Sequence, residues 1–350
     1  MFKKILPYIL ILIALLAGAG LFLQSRNPQG GFLNLSFGTQ QAQTQTSDPA
    51  EPTKPNFSNY GPAPELVGLN KWFNSDPLTL AELQGRVVLV DFWTYSCINC
   101  IRTLPYVTQW YETYKDQGFV ILGIHTPEFA FERVANNVET AIKRYNITYP
   151  VAQDNQYRTW QAFENQFWPA HYLIDKNGEI VYTHFGEGEY EKTELAIRTL
   201  LGLEGEFEMP PIPEANQSQT PEIYLGSARS KNFGGLEKPS AEEQIYAFPR
   251  TLQRNRFALE GRWKIEPEAA IHTSGFGRIR LNFNAAKVFM VAQSEKPVTL
   301  KIYVDGELQK GVTITNSDLY PLFESSIGQN RTMEIEFPDS GVQVFTFTFG

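Results

Sequence analysis

Cysteine is nearly missing from this chain: two residues in 350, at positions 97 and 100. That scarcity excludes a disulfide-rich scaffold, which needs several bridges. A four-cysteine zinc site is excluded with it, and the four histidines lack ligand spacing, so no metal site is expected. Positive charge is also in deficit. Thirty Lys and Arg against 38 Asp and Glu leave a formal net charge of −8, which argues against nucleic acid as a partner. No internal repeat is apparent. With 42% apolar and 19% charged residues the chain is globular as a whole, and its length allows two or three domains.

What is present begins with Met1-Phe2-Lys3-Lys4 and an apolar segment from Ile5 to Leu23. Nineteen helical residues reach about 28 Å, close to the hydrocarbon thickness of a bilayer. The two lysines put the N-terminus in the cytoplasm and everything after Gln24 outside, on the periplasmic side. Ala17-Gly18-Ala19 resembles the cleavage site of a signal peptide, the rival reading. Because the apolar run continues through Leu23, residues 1–24 are read as an uncleaved anchor. Residues 25–60, rich in Gln, Thr, Ser, Pro and Gly, read as a flexible stalk.

From residue 61 to 204 strands and helices alternate, which predicts an α/β domain with a mixed sheet. Val87–Trp93 and Phe119–Ile124 are continuous apolar runs, as in strands covered on both faces. Helices are expected over 97–114, 130–145 and 189–203, and a short strand at 149–152. His171–Asp175 and Glu179–Thr183 flank Lys176-Asn177-Gly178, a hairpin signal. Residues 205–221 read as a linker. Over 222–350 the period becomes two, with Ile279, Leu281 and Phe283, then Leu300, Ile302 and Val304, then Phe345, Phe347 and Phe349. Many short strands with regular turns predict a β-sandwich or jelly roll.

Cys97-Ile98-Asn99-Cys100 carries the chemistry. At this spacing on a first helical turn two sulfurs either close a small disulfide or stand as a dithiol. The first sits where helix N–H groups favour negative charge, which makes it the nucleophile. A structural bridge over so short a gap removes little chain entropy, so the pair reads as a reversible two-electron redox site.

The order of features resembles the thioredoxin family. Asp91 lies six residues before Cys97, followed by Phe92-Trp93; Pro105 falls five after Cys100; Trp168-Pro169 precedes a strand; Lys176-Asn177-Gly178-Glu179 follows. The helix and strand inserted between His125 and Phe163 resemble TlpA- and ResA-type proteins. Phe92-Trp93-Thr94-Tyr95-Ser96-Cys97-Ile98-Asn99-Cys100, His125-Thr126-Pro127-Glu128-Phe129 and Gly186-Glu187-Gly188 are similar to the exported portion of DipZ proteins, which also carries a carbohydrate-binding-module-like β-sandwich. The resemblance implies an extracytoplasmic thiol:disulfide oxidoreductase, acting as a reductase on exported disulfide-containing proteins, with no cofactor beyond a redox-active Cys97–Cys100 disulfide. Cys97 would attack, Cys100 resolve, Asp91 serve as proton acceptor, and a cis Trp168-Pro169 bond present a backbone edge to substrate. Trp93, Tyr95, Ile98, Asn99 and Trp168 would wall the groove, and His125 and Glu128 stand as second-shell candidates. DipZ proteins begin with a polytopic CcdA-like domain, whereas a single membrane segment is read here. Reducing equivalents would then come from a separate CcdA- or DsbD-like membrane protein.

Two other readings compete. Thr94-x-x-Cys97 matches half of a peroxiredoxin signature, although Val90 stands where its proline belongs. Alternatively the sandwich is the working part and binds a glycan or protein. Trp263 and Tyr246 read as sandwich core rather than sugar platforms, and His171, His184 and His272 as structural.

Overall fold

Val87–Trp93 forms a strand, β2, that is buried at every position, as a run apolar on both faces requires. The computed structural model describes residue 55 and residues 57–205 and 219–350. The expected anchor at 1–24 lies outside these residues, and so do most of the stalk and of the 205–221 linker. No helix among the described residues is long and apolar enough to cross a membrane.

Five strands join β2 in a six-stranded sheet of order β1-β4-β3-β2-β5-β6: β1 (Trp72–Phe73), β3 (Phe119–His125), β4 (Val151–Gln153), β5 (Ala170–Ile174) and β6 (Ile180–Phe185). β2, β3 and β4 are parallel, while β1, β5 and β6 run antiparallel to their neighbours, giving the mixed sheet. Helix α1 (Ile98–Tyr114) turns Cys100, Leu104, Val107 and Trp110 inward at helical spacing, with Pro105 on its exposed side.

Local details depart from the sequence reading. The helix expected over 130–145 is a 3₁₀ turn, Ala130–Arg133, then α2, Ala135–Arg144, broken at an extended Val134. The cause is Glu132, whose carboxylate reaches back to the N–H groups of Glu128 and Phe129 and closes that turn on itself. β4 starts at Val151 rather than 149, since Pro150 has no N–H to give a ladder. A short helix α3 (Arg158–Ala162) was not expected. α4 spans Tyr190–Leu201 and ends on a left-handed Gly202.

The C-terminal region is all β and antiparallel, as its period of two demands. Its spine is two long strands, β10 (Ala270–Gln293) and β14 (Asp318–Phe337). Around them lie β7 (Ile223–Tyr224), β8 (Gln244–Tyr246), β9 (Arg256–Ile265), β11 (Val298–Val304), β12 (Glu307–Leu308), β13 (Val312–Ile314) and β15 (Gln343–Phe349). β10 pairs with β9 through Arg278–Asn282 and with β15 through Val288–Gln293, so one strand serves both ends of the region. Ile279, Leu281, Phe283, Ile302 and Phe347 fill its interior, consistent with a β-sandwich, and Trp263 and Tyr246 are core as expected.

A second core crosses the boundary between the two regions. Phe129 and Phe131 pack on Phe345 of β15 at ring distances of 5.1 and 4.8 Å, with Ala269 and Val291 alongside. All described residues fall within one compact unit. Phe345→Ala is expected to cost about 3–5 kcal/mol in urea unfolding of the whole described unit as one transition. Two separated transitions, or a loss under about 1 kcal/mol, would show that the halves do not share this core.

Candidate active site

The site begins where β2 ends. Trp93 hands over to a loop, Thr94–Ser96, and Cys97 caps α1 in an extended conformation. Its sulfur accepts the N–H of Cys100 at 3.3 Å, one of the donors a helix start leaves without a partner. Cys97 is 8% exposed and Cys100 1%, and both thiols are free. The outer sulfur is therefore the one a substrate reaches first. Burial pushes the Cys100 thiol well above its ordinary range, with the adjacent Cys97 and the Asp91 charge adding to it.

The Trp168-Pro169 bond is cis, and the Trp168 carbonyl oxygen lies 4.0 Å from Cys97 Sγ. Trp168 is held by its indole N–H on the Thr126 carbonyl (3.0 Å) and by Trp160 at a ring distance of 4.2 Å. Beneath the pair, Asp91 is 1% exposed, with Oδ1 3.3 Å from His171 Nε2. That spacing brings the two side chains into contact without an aligned hydrogen bond, since both atoms lack one. The buried Tyr149 hydroxyl also lacks a partner and faces Asp91 and Cys100, whose charges help burial raise its pKa.

Several expected groove residues are covered. Trp93 and Tyr95 are 1% and 2% exposed because His125 and Phe131 pack against them, and Ile98 is buried in the first turn of α1. Asn99 and Trp168 alone of the five remain half-exposed. His125 is fully buried, its Nε2 3.3 Å from the Thr94 hydroxyl, and burial lowers its pKa to about 3, so it stays neutral. The same contact engages the hydroxyl that a peroxidase reading needs. Glu128 turns away from the sulfurs and accepts from Tyr224 (2.8 Å) and Arg229 (2.7 Å) of the C-terminal region. His272 is structural as read, with Nδ1 3.0 Å from the Asp339 carbonyl.

Two contributors escaped the sequence reading, His171 at Asp91 and Glu132. Glu132 is completely buried and accepts from the Ser96 hydroxyl (2.6 Å) and, at 3.4 Å, the Ser96 N–H, fixing the residue before Cys97. The C-terminal region also borders the site. The Tyr95 hydroxyl reaches the Ser317 carbonyl (3.4 Å), and Arg102 reaches Glu187 (3.4 Å) and the Phe349 carbonyl (3.3 Å).

Burial pushes the Glu132 carboxyl up to about 7, against hydrogen bonds from Ser96 and Thr94. A folded-state value above the ordinary 4.5 means that the protonated form is favoured in the fold. Stability from this group is complete below pH 4.5 and is lost as pH rises through about 7. Glu132→Gln, which cannot ionise, is expected to gain on the wild type by on the order of 3 kcal/mol across that window in chemical unfolding. A pH-independent difference would contradict this.

Residues 55–200 match the redoxin family, and residues 220–350 match the thioredoxin like C-terminal domain family. Protein DipZ of Mycobacterium tuberculosis is 38% identical over 304 residues, covering 83% of this chain and 43% of DipZ. The chain thus spans less than half of that relative. Thiol-disulfide oxidoreductase YkuV of Bacillus subtilis is 29% identical over 141 residues, 40% of this chain and 94% of YkuV. Thiol-disulfide oxidoreductase ResA of Geobacillus kaustophilus is 34% identical over 101 residues, 29% of this chain and 55% of ResA. A free cysteine pair on a thioredoxin-like sheet, followed by an antiparallel β region, thus lies in a chain whose first part matches the redoxin family, whose second part matches the thioredoxin like C-terminal domain family, and which is similar to DipZ over most of its own length.

Proposed function

We propose that this chain is a membrane-anchored, extracytoplasmic thiol:disulfide oxidoreductase that reduces disulfides of exported proteins. The observation that carries the reading is the division of the pair: Cys97 caps a helix beside a backbone carbonyl, and Cys100 is sealed one turn inward. Cys97 as thiolate attacks a substrate disulfide, Cys100 gives its proton to Asp91, and its sulfur displaces the substrate from Cys97. The product is the redox-active Cys97–Cys100 disulfide. An extended substrate segment lies along Trp168-Pro169, with Asn99 and Trp168 in contact. The names of YkuV and ResA support the reaction class.

The lysines and apolar segment before Gln24 support anchoring and export. A separate CcdA- or DsbD-like membrane protein returns the disulfide to the dithiol. The C-terminal domain, read as a carbohydrate-binding-module-like jelly roll, takes a docking role for a protein or glycan. Sugar stacking on Trp263 or Tyr246 is not part of it, since both are buried.

Cys100→Ala is expected to accumulate mixed disulfides with exported proteins in cells, visible on non-reducing gels, whereas Cys97→Ala accumulates none. Equal trapping by both variants would remove the assigned roles. Asp91→Asn is expected to slow release of the mixed disulfide by about a hundredfold, the low end of what a positioned base supplies. The purified protein is expected to have a reduction potential below that of the glutathione couple; a value above it would reverse the direction of electron flow.

A further inference from the structure

Beneath the cysteines, three neighbouring strands each place one titratable side chain in a single register row. Asp91 of β2 pairs with His171 of β5, and His171 pairs with His184 of β6. Asp91 Oδ1 is 3.3 Å from His171 Nε2, and both side chains are buried. The His171 and His184 rings are 6.2 Å apart between centroids, a gap spanned by ring rotation or one bridging water. His184 Nδ1 is 3.8 Å from Glu189 Oε2, on a side chain that is 50% exposed. The row runs from a closed chamber to solvent.

Its atoms are also left uncommitted. Asp91 Oδ1, both nitrogens of His171 and Nε2 of His184 are buried with no aligned hydrogen bond. Unpartnered buried polar atoms are rare and destabilising, so four along one line point to use rather than packing. The groups facing the row leave its path open. Trp110 of α1 meets His171 edge-on at 6.0 Å, but its N–H is given to Glu194 (2.8 Å). Cys100 and Tyr149 face Asp91, and the Gly186–Glu187 backbone faces His184. Burial, with His171 adding, holds His184 below the usual histidine range, so it is neutral and able to accept a proton.

We propose that Asp91, His171, His184 and Glu189 form a proton relay between Cys100 and solvent. The inference rests on the exchange reaction proposed above. In the resolving step the Cys100 S–H gives its proton to Asp91, and its sulfur electron pair forms the Cys97–Cys100 bond. The bond from Cys97 to the substrate sulfur breaks, and the substrate leaves as a thiolate that takes a proton from water. Two electrons pass from the protein dithiol to the substrate disulfide. The Asp91 proton moves to His171 Nε2 while the Nδ1 proton passes towards His184 Nε2, and His184 releases its Nδ1 proton at Glu189. When the disulfide is reduced again, Cys100 regains its proton along the same row. Both histidines are positioning residues, acting through Asp91.

The test follows single turnover of the full-length protein with a disulfide-linked peptide by rapid mixing, across neutral pH and with increasing imidazole. His184→Gln, nearer the surface, is expected to capture peptide at the wild-type rate but to resolve it about tenfold more slowly. That deficit shrinks as imidazole rises. His171→Gln is expected to show the same slowing with no rescue, because its site is closed to solvent. Resolution at the wild-type rate, with an unchanged pH profile and no buffer dependence in folded His184→Gln, overturns the relay while leaving the exchange reaction standing. A wild-type protein that captures no peptide overturns both.

Discussion

A sulfur stands at the head of α1 where helices ordinarily place a hydroxyl or a carboxylate. By accepting the Cys100 N–H, Cys97 stops its own helix start from carrying an unmet donor, and the rest of the site follows from that bond. The capping residue is extended and sits at the surface edge; the residue three positions on is turned into the core. One helical turn therefore creates two unlike thiols from one residue type. Glu132 keeps the cap in place from outside the helix by holding Ser96, and Trp168 supplies the facing carbonyl. None of these contacts is strong alone. Together they leave the loop little freedom, which is what a sulfur that must meet another sulfur in line requires.

What the sequence disclosed was whatever depends on short spacing. The cysteine pair, the Asp91 offset, Trp168-Pro169, the Asn-Gly hairpin and the switch from mixed to period-two patterning are all local, and the fold class follows from them. Residues whose role depends on pairing across the sheet were not legible. His171 stands beside Asp91 only because β5 lies antiparallel to β2 in one register, which nothing in Ala170–Ile174 announces. Glu132 sits in a pattern that reads as helix surface, yet it closes a 3₁₀ turn on itself and is completely buried. Trp93 and Tyr95 read as groove walls because aromatic residues flank the cysteines, yet packing by His125 and Phe131 decides their exposure. Glu128 was placed near the chemistry by its strand end and belongs instead to the junction with the C-terminal region.

That junction makes the two regions one body. Glu128 joins Tyr224 and Arg229, Arg144 pairs with Asp318 at 2.7 Å, and the Ala130 N–H meets Glu268 at 3.0 Å. The aromatic trio of Phe129, Phe131 and Phe345 lies among these polar contacts. Polar contacts of this kind specify how the faces meet, whereas the rings supply most of the attraction.

Phe129 and Phe131 are 1% and 9% exposed, and part of their cover is Phe345, from a strand more than a hundred residues later. The cysteine-bearing half made alone would therefore present a sticky aromatic face to its neighbours, close to its own reactive thiol. During synthesis the earlier region emerges first and waits for the later one, so in that interval the nascent chain is the species most in need of chaperoning.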